Sequence, residues 1–137
     1  MPACVICSIV SGDATSHSIF EDDNFIVFLD IKPLFAGHCL LASKKHFETL
    51  YDLPKKLIEP YFSLLQRIGK AIEISMQSKG SFIAINNIVS QSIPHLHTHI
   101  VPRNPQDGLK GFFWPRTSYT DEEEMKTIQV KIKQAIL

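Results

Sequence analysis

Between Pro54 and Lys79 the apolar residues Leu57, Ile58, Tyr61, Leu64, Leu65, Ile68, Ile72 and Met76 recur at the spacing of one helix face. A helix this long and this one-sided must bury its apolar stripe against another layer. The other apolar runs are short, and they are the candidates for that layer. Ser18–Glu21 and Phe25–Leu29, separated by the turn signal Asp22-Asp23-Asn24, predict a hairpin. His38–Ala42 and Ser81–Asn86 read as two more strands, and a further one follows from His95. The chain therefore reads as an α+β domain: about five strands in an antiparallel sheet, with one long helix inserted. Pro60 places the start of that helix nearby or kinks its first turn, and Gly80 is the expected stop. A short helix at residues 4–11 ends at Gly12-Asp13. Thr120-Asp-Glu-Glu123 has the form of a capping box, and Met125, Ile128, Ile132, Ala135 and Ile136 mark an amphipathic terminal helix. One domain spanning 1–137 is expected, with its core at about 4–103 and an irregular aromatic tail before the last helix.

The stretch His95-Leu-His97-Thr-His99 carries three of the six histidines at i, i+2 and i+4. In an extended strand all three imidazoles fall on one face, whereas a helix scatters them. Ile100 and Val101 continue the strand, and Pro102 is expected to end it. Imidazoles at this period suit a metal site, a phosphate-handling site or a proton relay. As a nucleophile toward phosphorus, a histidine needs a lone pair on one ring nitrogen and an acceptor holding the other. His97, flanked by His95 and His99, is best placed for that role. The preceding polar loop offers Gln91 and Ser92.

The composition narrows the partners. Fourteen basic residues balance fourteen acidic ones, so no long-range field draws the chain to nucleic acid, and anion binding must be local. No apolar run is long enough to span a membrane, and the N-terminus lacks the pattern of a secretory signal. The three cysteines, Cys4, Cys7 and Cys39, make no even-numbered disulfide framework. A reducing, cytoplasmic setting follows as the expectation.

His-Leu-His-Thr-His-Ile-Val resembles the signature of the histidine triad (HIT) family, in which three histidines alternate with apolar residues. Ile19-Phe20-Glu21-Asp22-Asp23, Asp30-Ile-Lys-Pro33, Gly37-His38, Lys44-Lys45-His46, Asn86-Asn87 and Gln91-Ser92 resemble further segments of that family, in the same order. The tail Gly111-Phe-Phe-Trp-Pro-Arg116 is similar to that of small bacterial, Hint-like members. The resemblance implies the HIT-like fold and a hydrolase or nucleotidyl transferase. It would act at the α-phosphate of purine nucleotide conjugates, phosphoramidates or dinucleoside polyphosphates, through a covalent NMP–histidine. By resemblance His97 is the nucleophile, His99 binds a phosphate oxygen and His38 orients the central imidazole. Ser92 and Gln91 would meet phosphate or leaving group, and Asn86 would lie with the nucleotide. Asp30 would accept the ribose hydroxyls, and Ile6, Ile9 and Ile31 would line the base pocket. A homodimer joined across the long helix and a strand is also implied, with no organic cofactor.

Cys4-x-x-Cys7 has metal-type spacing, but a closed structural site wants four ligands. Bacterial HIT proteins and the related galactose-1-phosphate uridylyltransferases resemble an arrangement of two cysteines and two histidines. This implies structural Zn²⁺ on Cys4, Cys7, His46 and His95. The alternatives are a catalytically weak nucleotide-binding or regulatory module of the same fold, and one metal held by all three triad histidines. Three positions depart from the family pattern: Thr98 stands where an apolar residue is usual, Ser43 where proline is common, and Val89-Ser90 where glycine is usual.

Overall fold

The computed structural model describes residues 4–109 and 115–136. The chain divides into two compact units, Met1–Asp107 and Gly108–Leu137. The first holds α1 (Val5–Ser11), β1 (Ser18–Glu21), β2 (Phe25–Leu29), β3 (Cys39–Ser43), a 3₁₀ turn (Leu50–Asp52), α2 (Lys55–Met76), β4 (Gly80–Ile85) and β5 (His97–Arg103). The strands form one antiparallel sheet in the order β1-β2-β3-β5-β4.

Strand alternation sorts the core into two layers. Phe25 and Val27 of β2, Cys39 and Leu41 of β3 and Ile100 of β5 face α2, packing on Tyr61, Leu64, Leu65, Ile68 and Ile72. Ile26, Phe28, Leu40 and Ala42 face the other way and enclose Ile6 of α1. β2 and β3 are covered on both faces, which is why they read as unbroken apolar runs. Each fully buried Leu or Ile in such layers contributes about 1.5–3 kcal/mol.

Several boundaries differ from the sequence reading, each for a local reason. α2 runs through Pro60 and ends at Gln77, whose φ of 53° makes the left-handed cap. Gly80 is not the stop; it opens β4 opposite Arg103. Pro102 does not end β5, which continues to Arg103. Pairing of β3 with β5 stops at Ile100, so a residue without an N–H at 102 forfeits no bond to β3. β3 begins one residue later than expected, which leaves His38 just ahead of it. The Gly37 turn requires glycine: φ is 96°, and a Cβ there would lie 2.7 Å from Cγ of Met76.

In the second unit, α3 (Glu122–Ala135) is capped by Asp121, whose carboxylate accepts the Glu124 N–H at 2.8 Å. The N-cap thus lies one residue beyond the expected Thr120, and Glu124 Oε2 accepts the Thr120 N–H at 3.3 Å instead of closing a capping box. Glu122, Glu123 and Glu124 in the first turn and Lys133 in the last suit the helix dipole. The aromatic segment up to Trp114 lies outside the described residues.

The loop between β4 and β5 carries its conformation without glycine. Ile88 and Ser90 have φ of 66° and 63°. A β-branched residue in that region is an outlier, costing about 1–2 kcal/mol. Side-chain amides hold the loop in place. Gln91 Oε1 accepts the Ile88 N–H at 3.2 Å, Gln91 Nε2 donates to the Glu48 carbonyl at 2.6 Å, and Asn87 Oδ1 accepts the Leu50 N–H at 3.0 Å. Ile88 is 61% exposed, so replacing it forfeits little burial. Asparagine tolerates the left-handed region, and Ile88→Asn is predicted to raise unfolding stability by about 1 kcal/mol in chemical denaturation. An unchanged or lower midpoint would contradict the strain.

Candidate active site and metal centre

The register of β3 against β5 assembles the site. Leu40 pairs with His99 and Ala42 with His97, so both imidazoles emerge on the α1 face of the sheet. His38, two residues before Leu40, lies beside them. Its Nδ1 accepts the Leu34 N–H at 3.1 Å. The proton of neutral His38 therefore sits on Nε2, which lies 3.0 Å from Nδ1 of His99. His99 accepts there and carries its own proton on Nε2. His97 Nδ1 lies 2.7 Å from the His95 carbonyl, which can only accept. That nitrogen is the donor, and Nε2 of His97 is left with a lone pair. One nucleophilic nitrogen and one N–H donor thus arise two residues apart on the same strand face.

Burial favours the neutral forms of His38 and His99. It lowers the His38 pKa below the ordinary 6.5, against the opposing pull of Asp30, whose Oδ2 is 3.6 Å from Nε2. His99 is likewise lowered, first by burial and then by His97 and His38. Asp30, His38 and His99 bring ligand-type atoms within 4.8 Å of one another. A metal on His38 Nε2 would force the proton onto Nδ1, against the Leu34 N–H, so this group is arranged as a hydrogen-bonded chain instead.

His95 leaves the other two histidines. It precedes β5, is fully buried, and its Nε2 donates to the Ser43 carbonyl at 2.6 Å. Its Nδ1 lone pair then faces Cys4 Sγ at 3.3 Å and Cys7 Sγ at 3.6 Å, and Cys7 Sγ is 3.3 Å from His46 Nδ1. The ligand atoms of Cys4, Cys7, His46 and His95 all lie within 4.8 Å of one another. A tetrahedral zinc with Zn–S about 2.3 Å and Zn–N about 2.0 Å sets S···N edges of about 3.5 Å. Two thiols, two imidazoles and a carbonyl-held His95 tautomer fit that ion. Cys4 also caps α1, its sulfur accepting the Cys7 N–H. Three triad histidines around one metal is not the arrangement, because His95 turns to the thiols.

The remaining expected site residues are dispersed in character. Asp30 is half-buried, its Oδ1 accepting the Lys32 N–H at 2.9 Å. Ser92 is exposed, Asn86 half-buried, and Gln91 has its amide engaged in holding the loop. Ile31 is 83% exposed and Ile9 is partly buried beside α1's core. Ile6 is completely buried and packs as core, so it presents no surface to a base. His38 contacts His99, not the central His97 as expected. Thr98, which stands where an apolar residue is usual, is fully buried, and its hydroxyl meets that of Tyr61. Four groups escaped the sequence reading: the Leu34 N–H, the His95 and Ser43 carbonyls and the Tyr61 hydroxyl. Three are backbone groups with no residue signature, and Tyr61 is hidden in an apolar helix stripe.

The depressed histidine pKa values carry a sign. Above 6.5 both folded and unfolded chains hold His38 and His99 neutral, and stability is full. As pH falls through 6.5 the unfolded chain takes up protons that the buried rings resist, so stability is lost. Chelator-treated protein is predicted to have a lower unfolding midpoint at about pH 5.5 than at about pH 7.5. Equal midpoints would contradict the neutral buried pair.

Residues 11–106 match the HIT domain family. The "Protein hit" of Bacillus subtilis is 31% identical over 128 residues, covering 92% of this chain and 87% of that protein. An adenylylsulfatase of Arabidopsis thaliana is 34% identical over 108 residues, 77% of this chain and 55% of the relative. An adenosine 5′-monophosphoramidase of Saccharomyces cerevisiae is 27% identical over 117 residues, 82% and 70%. Among solved structures, a HIT family protein from B. subtilis superposes with a TM-score of 0.87 at 30% identity, covering 98% of this chain and 97% of that one. A zinc-bound histidine triad protein from Mycobacterium smegmatis gives 0.73 at 34% identity, with 98% of each chain covered. The sheet, the histidine strand and these likenesses agree: the chain belongs to the HIT domain family.

Proposed function

We propose that this chain is a nucleotide hydrolase or nucleotidyl transferase acting at the α-phosphate of purine nucleotide conjugates, phosphoramidates or dinucleoside polyphosphates. The observation that carries the reading is the fixed tautomer of His97, with Nδ1–H on the His95 carbonyl and Nε2 bare. Adenylylsulfatase and phosphoramidase relatives support phosphorus as the electrophile.

In this reading His97 Nε2 attacks the α-phosphorus in line, a P–N bond forms, and the bond to the leaving group breaks. The imidazolium so created is steadied by its Nδ1–H bond to the His95 carbonyl. His99 Nε2–H donates to a phosphoryl oxygen, and His38 holds His99 in the donating tautomer. The leaving group departs with its electron pair and takes a proton from solvent. Water then attacks phosphorus, the P–N bond breaks, NMP and a proton are released, and His97 returns neutral. Asp30 would accept the ribose hydroxyls and Ser92 would meet a phosphate oxygen, with Ile9 and Ile31 lining the base pocket. Gln91 serves chiefly to hold the loop.

Structural zinc on Cys4, Cys7, His46 and His95 belongs to the same reading, supported by the donor cluster and the zinc-bound relative. It would tie α1 to the ends of β3 and β5. A homodimer across α2 and the edge strand β4 is supported by exposed Ile58 and Phe62 on the helix and Ile83 on the strand. No helix among the described residues is long and apolar enough to cross a membrane. A cytoplasmic setting fits the free thiols.

His97→Ala is predicted to abolish turnover of an adenosine phosphoramidate while AMP binding persists, and wild-type protein trapped with substrate should show an NMP adduct on His97 by mass spectrometry. Turnover that survives the substitution would refute the nucleophile. AMP binding by wild-type protein with no turnover on any conjugate would favour the binding-module alternative. Protein purified without chelator should hold about one zinc per chain, and His95→Ala should lose it; less than about a tenth of a zinc per wild-type chain would reject the metal site.

A further inference from the structure

At the centre of the sheet Leu41 of β3 pairs with Thr98 of β5. His97 and His99 flank Thr98 and point to the α1 face; the Thr98 side chain points to α2. There it meets Tyr61, and both residues are fully buried. The Tyr61 hydroxyl donates to the Leu41 carbonyl at 3.2 Å. With that proton committed, Thr98 Oγ1–H donates to the Tyr61 oxygen at 2.5 Å. One phenol therefore ties both members of a cross-strand pair, and its ring is held edge-on by Phe25 at 5.4 Å. Two hydroxyls in an apolar layer cost desolvation that an apolar side chain at 98 would not, unless they are satisfied by directed bonds. These bonds fix the side chain between the two histidines, and with it the peptide planes on either side.

We propose that Tyr61 and Thr98 are positioning residues that lock β5 against β3, and so set where His97 Nε2 and His99 Nε2 stand relative to each other and to His38. The inference rests on the proposed roles of His97 and His99. It concerns the far side of the sheet, with no contact to substrate. Burial also raises the Tyr61 pKa, against the Thr98 bond, so the phenol stays protonated and the pattern persists across the working pH range.

The test is steady-state kinetics on an adenosine phosphoramidate, with denaturation curves and imidazole ¹H–¹⁵N spectra on the same samples. Tyr61→Phe and Thr98→Val are each expected to lower kcat about tenfold per folded chain. KM should stay within about twofold, since the groups proposed for the ribose and the base lie elsewhere. Thr98→Ser, which keeps the hydroxyl, should retain near wild-type kcat. The His97 signal, held as one tautomer in the wild type, should become mixed in the two variants. Folded variants with wild-type kcat and unchanged imidazole spectra overturn the proposal, even where their unfolding midpoint falls. If a single variant fails to fold, the double variant Tyr61→Phe/Thr98→Val leaves no hydroxyl unpaired. Reduced kcat in the folded double variant supports the proposal, and full kcat overturns it. If the wild type turns over no conjugate, the enzymatic reading fails on its own, and the imidazole spectra alone decide the positioning role.

Discussion

The pairing of β3 with β5 is the constraint on which the site depends. It places Ala42 against His97 and Leu40 against His99, with His38 one residue ahead of β3. Strand side chains alternate with a period of two, so a slip of one residue would send both imidazoles into the α2 layer. It would also bring Thr98 out to the α1 face. The apolar cost of that exchange is large, because Ile100 would leave a closely packed core and two imidazoles would enter it. The apolar layer under α2 thus protects the chemistry of β5, although no side chain of β3 takes part in the proposed reaction.

The directions of the hydrogen bonds add a second layer of order. A carbonyl can only accept and a backbone N–H can only donate, so each backbone group assigns the ring it meets. Leu34 N–H assigns His38, which assigns His99; the His95 carbonyl assigns His97; the Ser43 carbonyl assigns His95. Three of these assignments begin at fixed main-chain atoms. Burial reinforces them by disfavouring the charged forms of His38, His95 and His99. The resulting neutral rings have defined lone pairs, which both a nucleophile and a metal ligand require.

Much of this was legible because it rests on period and residue type. The spacing from Leu57 to Met76 announced α2, and the runs at Phe25–Leu29 and Leu40–Leu41 announced buried strands. The resemblance to HIT proteins, added to the Cys4-x-x-Cys7 spacing, implied Cys4, Cys7, His46 and His95 as a set, and the structure brings them together. The misreadings came where a residue's usual role was overridden by its neighbours. Pro102 reads as a terminator, but the pairing with β3 already stops at Ile100, opposite the first residue of β3. Gly80 was read as a cap, but Gln77 accepts the left-handed conformation first. Ile6 was read as pocket lining, but α1 turns it into the sheet. Contacts of carbonyl and amide groups were not legible at all, since they depend on where two distant segments meet.

His95 shows how the two halves of the site are joined. Its side chain belongs to the thiol cluster, while its carbonyl holds Nδ1 of His97. Any displacement of its Cα is transmitted to the ring two residues on, through a single 2.7 Å bond. Around that residue the main chain is tied down independently. The His95 N–H donates to Ile93, and the Leu96 N–H donates to Phe47 beyond the end of β3. Thr98 fastens the strand from the opposite face. The nucleophile candidate therefore sits between two anchors, one on each side of the sheet, with its own ring packed edge-on against His99. Alternation makes that division available: odd positions from 95 to 99 carry imidazoles, and even ones carry the residues that hold the strand.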